Sequence, residues 1–144
     1  MIPDVNLVVA AARPDHAHHA LAKSWWLEAI ASATDERPIY LLPVVVSGFL
    51  RVVTHPRVFN VPSSIAEATD HIDALLKLPR VNLLDAQPRW SDFRQLCVEK
   101  SLTGNAIPDA WIAAAVTAVS GHLVTFDRDF RKLLKRSQVT IISV

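Results

Sequence analysis

An α/β fold on a parallel sheet is predicted by three observations. Short apolar runs alternate with stretches of helical spacing, the signature of strand–helix–strand units. Hydrophobic residues make up 51% of the chain and glycine only 3 residues, which suits a compact, helix-rich core. Aspartates stand where apolar runs give way to helices, and in an open parallel sheet ligands bind outside the carboxyl ends of the strands.

The elements follow in order. Ile2 to Asp4 reads as a short buried strand and Asn6 to Ala12 as the first turns of a helix. Arg13-Pro14-Asp15 breaks that helix, and Asp15 is placed to cap a second one from His16 to Ser32, with Leu21, Trp25, Leu27 and Ile30 on its apolar face. Thr34 to Pro38 is a loop and Ile39 to Leu42 a strand. A helix is predicted from Val44 to Val53, stopped by Thr54-His55-Pro56, although its valines are weak helix formers. Ser63 or Ser64 caps the next helix, in which Ile65, Ala68, Ile72, Leu75 and Leu76 keep helical spacing opposite Glu67, Asp70, Asp73 and Lys77. Val81 to Leu84 is a strand and Trp90 to Ser101 a helix. Pro108 is suited to the first position of a helix ending near Ser120. Leu123 to Phe126 and Val139 to Ile142 are the last strands, flanking a short basic helix.

The bulk numbers narrow the class. A chain of 144 residues is read as one domain, 1–144, long enough for a sizeable core. The formal charge of +1 says little as a total; the separation of acids from a basic C-terminal stretch says more. Cys97 is the single cysteine, so neither an intrachain disulfide nor a cysteine zinc site can form, and a cytoplasmic location is expected. The apolar runs Leu7 to Ala12 and Ile39 to Val46 are too short to span a bilayer, and Asp4 falls where a cleavable leader would carry positive charge. No membrane association is expected.

Asp4, Asp109 and Asp127 carry the chemical signal. Each lies at a strand end or helix start, so the fold can bring them together. Converging carboxylates repel one another, and hard divalent cations relieve that repulsion through oxygen ligands. Such a centre can activate water and stabilise the leaving oxygen of a phosphoryl displacement. Taken singly, each aspartate also has an ordinary reading: a turn residue, a first-turn helix acid and an N-cap. The helix dipole near Pro108 is expected to keep Asp109 ionised, and Asn6 and Asn105 to bond the carboxylates or a metal-bound water.

Four segments together match a known pattern. Ile2-Pro3-Asp4-Val5-Asn6, Ser47-Gly48-Phe49-Leu50-Arg51-Val52-Val53-Thr54-His55-Pro56, Asn105-Ala106-Ile107-Pro108-Asp109-Ala110 and Thr125-Phe126-Asp127-Arg128-Asp129-Phe130 resemble the PIN-domain ribonucleases, and among them the VapC toxins of bacterial toxin–antitoxin pairs. The resemblance spans nearly the whole chain. It implies a PIN-like three-layer α/β/α sandwich with a central parallel sheet, Mg²⁺ or Mn²⁺ held by a quartet of acids, cleavage of RNA such as a tRNA or rRNA loop, a cognate antitoxin and a homodimer. Asp4, Asp109 and Asp127 match three of the four acids. The second acid, a glutamate just before Ser47-Gly48-Phe49, falls on Val46, which can neither ligate a metal nor orient water. The chain is therefore read first as a metal-dependent endoribonuclease toxin whose activity Val46 could impair, the valine being either natural drift or an introduced inactivating change. The second reading is a catalytically dead RNA- or antitoxin-binding protein on the same fold. A receiver domain or aspartyl phosphatase also gathers acids at strand ends, but Asp4-Val5-Asn6 lacks the phosphatase's second aspartate and no lysine follows the last strands as a receiver needs.

Other residues have sharper and plainer readings. Arg128, Arg131, Lys132, Lys135 and Arg136 fall on one face of a helix, either solvated or tracking RNA phosphates. Arg51, His55 and Arg57 form a second basic group. His16, His18 and His19 read as a solvated helix start, since neither a carboxylate nor a cysteine completes a ligand set. Trp25 and Trp26 read as one core residue and one surface or subunit contact.

Overall fold

The structure, a computed structural model, describes residues 1–85 and 87–144. In chain order it runs β1 (Ile2–Pro3), α1 (Val5–Ala12), α2 (His19–Ser32), β2 (Ile39–Leu41), α3 (Pro43–Val53), α4 (Ile65–Leu76), β3 (Val81–Leu83), α5 (Trp90–Glu99), α6 (Ala106–Ala118), β4 (Leu123–Thr125) and β5 (Val139–Ile141). Two 3-10 turns, Arg128–Lys132 and Arg136–Gln138, join the last two strands. Every strand pair is parallel, as the alternation of strands and helices predicts.

The sheet is two ladders, β1-β4-β5 and β2-β3, and Pro3 explains the seam between them. Ile2 and Asp4 donate their N–H groups across to β4, to the carbonyls of His122 and Val124 at 2.8 and 2.9 Å. The residue between them would donate the other way, towards β2, but Pro3 has no N–H. One bond remains there, from Tyr40 N–H to the Met1 carbonyl at 2.8 Å. It brings β2 alongside β1 and sets the order β3-β2-β1-β4-β5.

Both faces of this sheet are covered, giving the expected three layers. Leu123, Val124 and Thr125 of β4 are all buried. Val124 packs with Leu7, Ala10 and Ala22 of α1 and α2. Leu123 joins the larger cluster that holds Ile2, Phe49, Ile112, Ala113 and Val116. Among the described residues, no helix is long and apolar enough to cross a membrane.

Several expectations are corrected. The second helix begins at His19, not His16, and its cap residue His18 makes no side-chain bond to it. Asp15 is engaged instead by Arg13, through Nε and Nη2 at 2.9 and 2.8 Å. That helix buries Ala22, Trp26 and Ala29, a stripe spaced four and three apart, and leaves Leu21 and Leu27 exposed. Pro43, not Val44, opens α3. Pro108 sits one position beyond the second residue of α6, still within the first turn, where an N–H has no helical partner. The basic C-terminal segment is not one helix face. Its residues divide between two 3-10 turns, where about three residues complete a turn, so the α-helical spacing no longer aligns the five cations.

Candidate active site

Parallel pairing decides where the acids meet. β1 and β4 run side by side in the same direction, so Asp4, immediately after β1, and Asp127, two residues after β4, lie at one end of the sheet. The first turn of α6 brings Asp109 to the same end. All three line a cleft of about 580 Å³, together with Asn6, Asn105, His16 and, from α3, Val44, Ser47, Gly48 and Arg51.

Asp4 is the most deeply placed of the three, 5% exposed. It is the N-cap of α1. Its Oδ1 accepts from Val5 N–H at 2.7 Å and its Oδ2 from the Thr125 hydroxyl at 2.6 Å. Burial pushes the Asp4 carboxyl above its ordinary range, with Asp127 adding to the rise and the two hydrogen bonds opposing it. Asp127 caps the first 3-10 turn, its Oδ1 accepting from Asp129 N–H at 2.8 Å.

Asp109 stands in the first turn of α6. Its pKa is pushed up to about 6, by burial first and then by the charges of Asp4, Asp127 and Asp129. Desolvation and carboxylate repulsion outweigh the pull of the helix dipole, yet a carboxyl near 6 is still largely ionised at neutral pH. A cation entering the cleft would relieve that repulsion.

Thr125 is the residue the sequence did not flag. It is fully buried, and its hydroxyl donates to Asp4 while accepting from Asn6 Nδ2 at 3.1 Å and Asp127 N–H at 3.0 Å. Asn6 Oδ1 in turn accepts from Phe126 N–H at 3.3 Å. Asn6 thus reaches Asp4 through Thr125 rather than directly. A threonine in a strand reads as β-propensity, and only the pairing of β1 with β4 reveals its second role.

The donors fit a hard cation in kind. Asp4, Asp109 and Asp127 supply carboxylate oxygens, and Asn6, Asn105 and Ser47 supply neutral oxygens around one cleft. Among the described residues, no three His, Cys, Asp or Glu side chains stand close enough together to enclose an ion as they are.

A family model, the PIN domain, matches residues 1–135. Ribonuclease VapC43 of Mycobacterium tuberculosis is 38% identical over 130 residues, which cover 90% of this chain and 86% of that protein. The chain belongs to the PIN-domain family, among its VapC members. The PIN fold also appears in solved structures. VapBC2 from Rickettsia felis, bound to a DNA fragment from its promoter, aligns with a TM-score of 0.65 at 17% identity, over 96% of this chain and 94% of that one. VapC20 of Mycobacterium tuberculosis, a sarcin-ricin loop cleaving toxin, aligns with a TM-score of 0.62 at 16% identity, over 90% and 92%.

The remaining candidate residues are placed as follows. Val46, read as the vacated acid position of the PIN quartet, is half-buried against the hydrophobic core and is not among the cleft-lining residues. The cleft face of α3 is Val44, Ser47, Gly48, Arg51 and Val52, set by steps of three and four; Val46 is turned away from it by helical geometry. Gly48 sits where α3 meets α1, since a Cβ there would lie 2.7 Å from Val5 Cγ2. Arg131, Lys132 and Lys135 border a different groove, of about 660 Å³, with Lys100, Asp92 and Glu99 of the α5 region. Lys132 pairs with Asp129 at 3.4 Å on the surface, and Arg128 is exposed. His16 lines the cleft. Its Nδ1 accepts from His18 N–H at 3.0 Å, and burial lowers its pKa, so it presents a neutral ring there.

Proposed function

We propose that this PIN-domain protein is an endoribonuclease toxin that uses Mg²⁺ or Mn²⁺, acts in the cytoplasm as a homodimer, and is held in check by a cognate antitoxin. The observation that carries the reading is the convergence of Asp4, Asp109 and Asp127 on one cleft, with Asp109 raised to about 6 by burial and its acidic neighbours. The ribonuclease name of VapC43 and the cleaving-toxin description of VapC20 support RNA, with a tRNA or rRNA loop as the substrate class.

Asp4 and Asp109 would hold the metal directly, and Asp127 through water or as part of a second position. A divalent cation bound there supplies a water nucleophile at neutral pH and charge neutralisation on the phosphoryl oxygens. The protein's own part is positional. Thr125 fixes the Asp4 carboxylate at 2.6 Å, and Asn6 fixes Thr125. Asp109 must give up its proton before it can ligate, so loading should weaken as pH falls below about 6. Arg128, Arg131, Lys132 and Lys135 are read as RNA contacts outside the cleft, adding affinity without sequence information.

A second reading has its own observation. α3 contributes Ser47 and Gly48 to the cleft but no acid, so the scaffold can bind RNA or antitoxin without cutting. Purified, antitoxin-free protein incubated with RNA and Mn²⁺ separates the two. Cleavage that EDTA abolishes supports the nuclease; RNA binding with no cleavage under any divalent cation leaves only the binding protein.

A further inference from the structure

A cleft lined by three carboxylates repels a polyanion along the stretch that a metal at those acids does not neutralise, so a free cationic side chain in its wall is the group suited to hold a neighbouring phosphate. α3 supplies the wall that carries such a group. Arg51 lies in the last turn of α3, shares its cleft-facing side with Ser47 and Gly48, and is exposed. Among the described residues it makes no ion pair and its guanidinium makes no hydrogen bond to protein. Arg13 shows the contrast. It is bound to Asp15, to the Ser63 hydroxyl at 3.0 Å and to the Val61 carbonyl at 2.8 Å, and it stacks on Phe59. Arg13 is a structural cation; Arg51 has its donors available.

We propose that Arg51 is the phosphate-binding residue of this cleft, its guanidinium taking a backbone phosphate of single-stranded RNA beside the one brought to Asp4 and Asp109. This rests on the ribonuclease reading above. The fork of parallel N–H donors suits a phosphate better than an ammonium would. It also explains a cation within an acidic cleft that pairs with none of its carboxylates. A helix C-terminus favours a positive side chain for stability alone, but that role would leave the salt dependence of RNA binding untouched.

The test uses the full chain and fluorescein-labelled single-stranded RNA of mixed sequence, titrated in EDTA at several salt concentrations. Arg51→Ala should weaken binding about tenfold, the scale of one charge-assisted contact. It should also reduce the slope of log affinity against log salt by about 0.7, one phosphate on a single strand. Arg51→Lys should keep the slope while binding more weakly than the parent, because one charge remains and the fork is lost. In Mn²⁺ cleavage, Arg51→Ala should raise KM more than it lowers kcat. Should Arg51→Ala fail to fold, Arg51→Gln carries the same expectations. An alanine or glutamine variant with the parent's slope and affinity would overturn the assignment. A parent that neither binds nor cleaves RNA would instead overturn the ribonuclease reading on which it rests.

Discussion

The acid cleft and the basic groove both use α6, yet they are built on opposite principles. The cleft takes Asn105, Pro108, Asp109 and Ile112 from that helix and its cap, and the groove takes Ala113, Ala114 and Thr117 from another side of it. In the cleft, Asp4 is 5% exposed and held by Thr125 and Val5, while Asp109 and Asp127 are half-buried. Groove cations are exposed, and Lys132 has only a surface partner, Asp129. The two acids that follow strands, Asp4 and Asp127, are anchored by hydrogen bonds. Charge that need only attract is left in solvent, where a single pair contributes little to stability.

The largest expected difference sets one region directly against the other. Asp4→Asn should lower Mn²⁺-dependent RNA cleavage by ~10²-fold or more, the cost of a misplaced catalytic group. Neutralising Arg131, Lys132 and Lys135 together should act on affinity alone, lowering the salt slope by about 0.7 for each RNA phosphate that is no longer neutralised. If the triple variant loses kcat as Asp4→Asn does, the groove belongs to the catalytic centre and the contrast fails.

The next expectation tests which side of α3 belongs to the cleft. Ser47→Glu, on the cleft face, should raise Mn²⁺-dependent cleavage by about tenfold by adding an oriented carboxylate. Val46→Glu should not, because it would force a charge against the core, and its effect should appear as a lower Tm. Greater cleavage from Val46→Glu than from Ser47→Glu would return the missing acid to position 46.

Thr125→Val measures the anchoring itself. The buried Asp4 Oδ2 would lose its donor, and Asn6 and Asp127 N–H their acceptor, at a cost of about 1–3 kcal/mol in chemical denaturation. A neutral result would mean that the hydroxyl holds nothing that water cannot replace.

The smallest effect concerns pH. Asp109 binds its proton more tightly in the fold, near 6, than at its ordinary 3.8. Its contribution to stability is therefore full below pH 3.8 and lost as pH rises through 6. In EDTA, Asp109→Asn should be the more stable protein at pH 7 by about 1 kcal/mol, after allowance for solvent screening, and the gap should close towards pH 4. A gap that does not depend on pH would show that the repulsion is relieved some other way.

The sequence made the parallel α/β class and the three aspartates legible because strand–helix alternation and acids at strand ends are local patterns. It misjudged features that depend on what lies across the sheet or beside the helix. The apolar residues Leu21 and Leu27 suggested the wrong face of α2 because Ala22 and Ala29, with small side chains, are what fit against the neighbouring helices. The cations from Arg128 to Arg136 kept α-helical spacing in a segment that tightens into 3-10 turns. Val46, one position before the resembling segment, is half-buried and lies outside the residues that line the cleft, a placement that depends on the rotation of α3. The reverse held at Pro3: a proline that argues against a central strand is accommodated because the donor it lacks points at the seam between the ladders.

The bond from Thr125 to Asp4 spans 121 residues of sequence, and this has a consequence for synthesis. A chain emerging from the ribosome exposes Asp4 early, but β1 gains its partner only when β4 follows at Leu123–Thr125. Until then Asp4 lacks the hydroxyl that orients it, and Asp127 does not yet exist. The acid cleft is thus assembled from segments that emerge far apart in time, and a product ending before Leu123 lacks both the strand that pairs with β1 and the hydroxyl that holds Asp4.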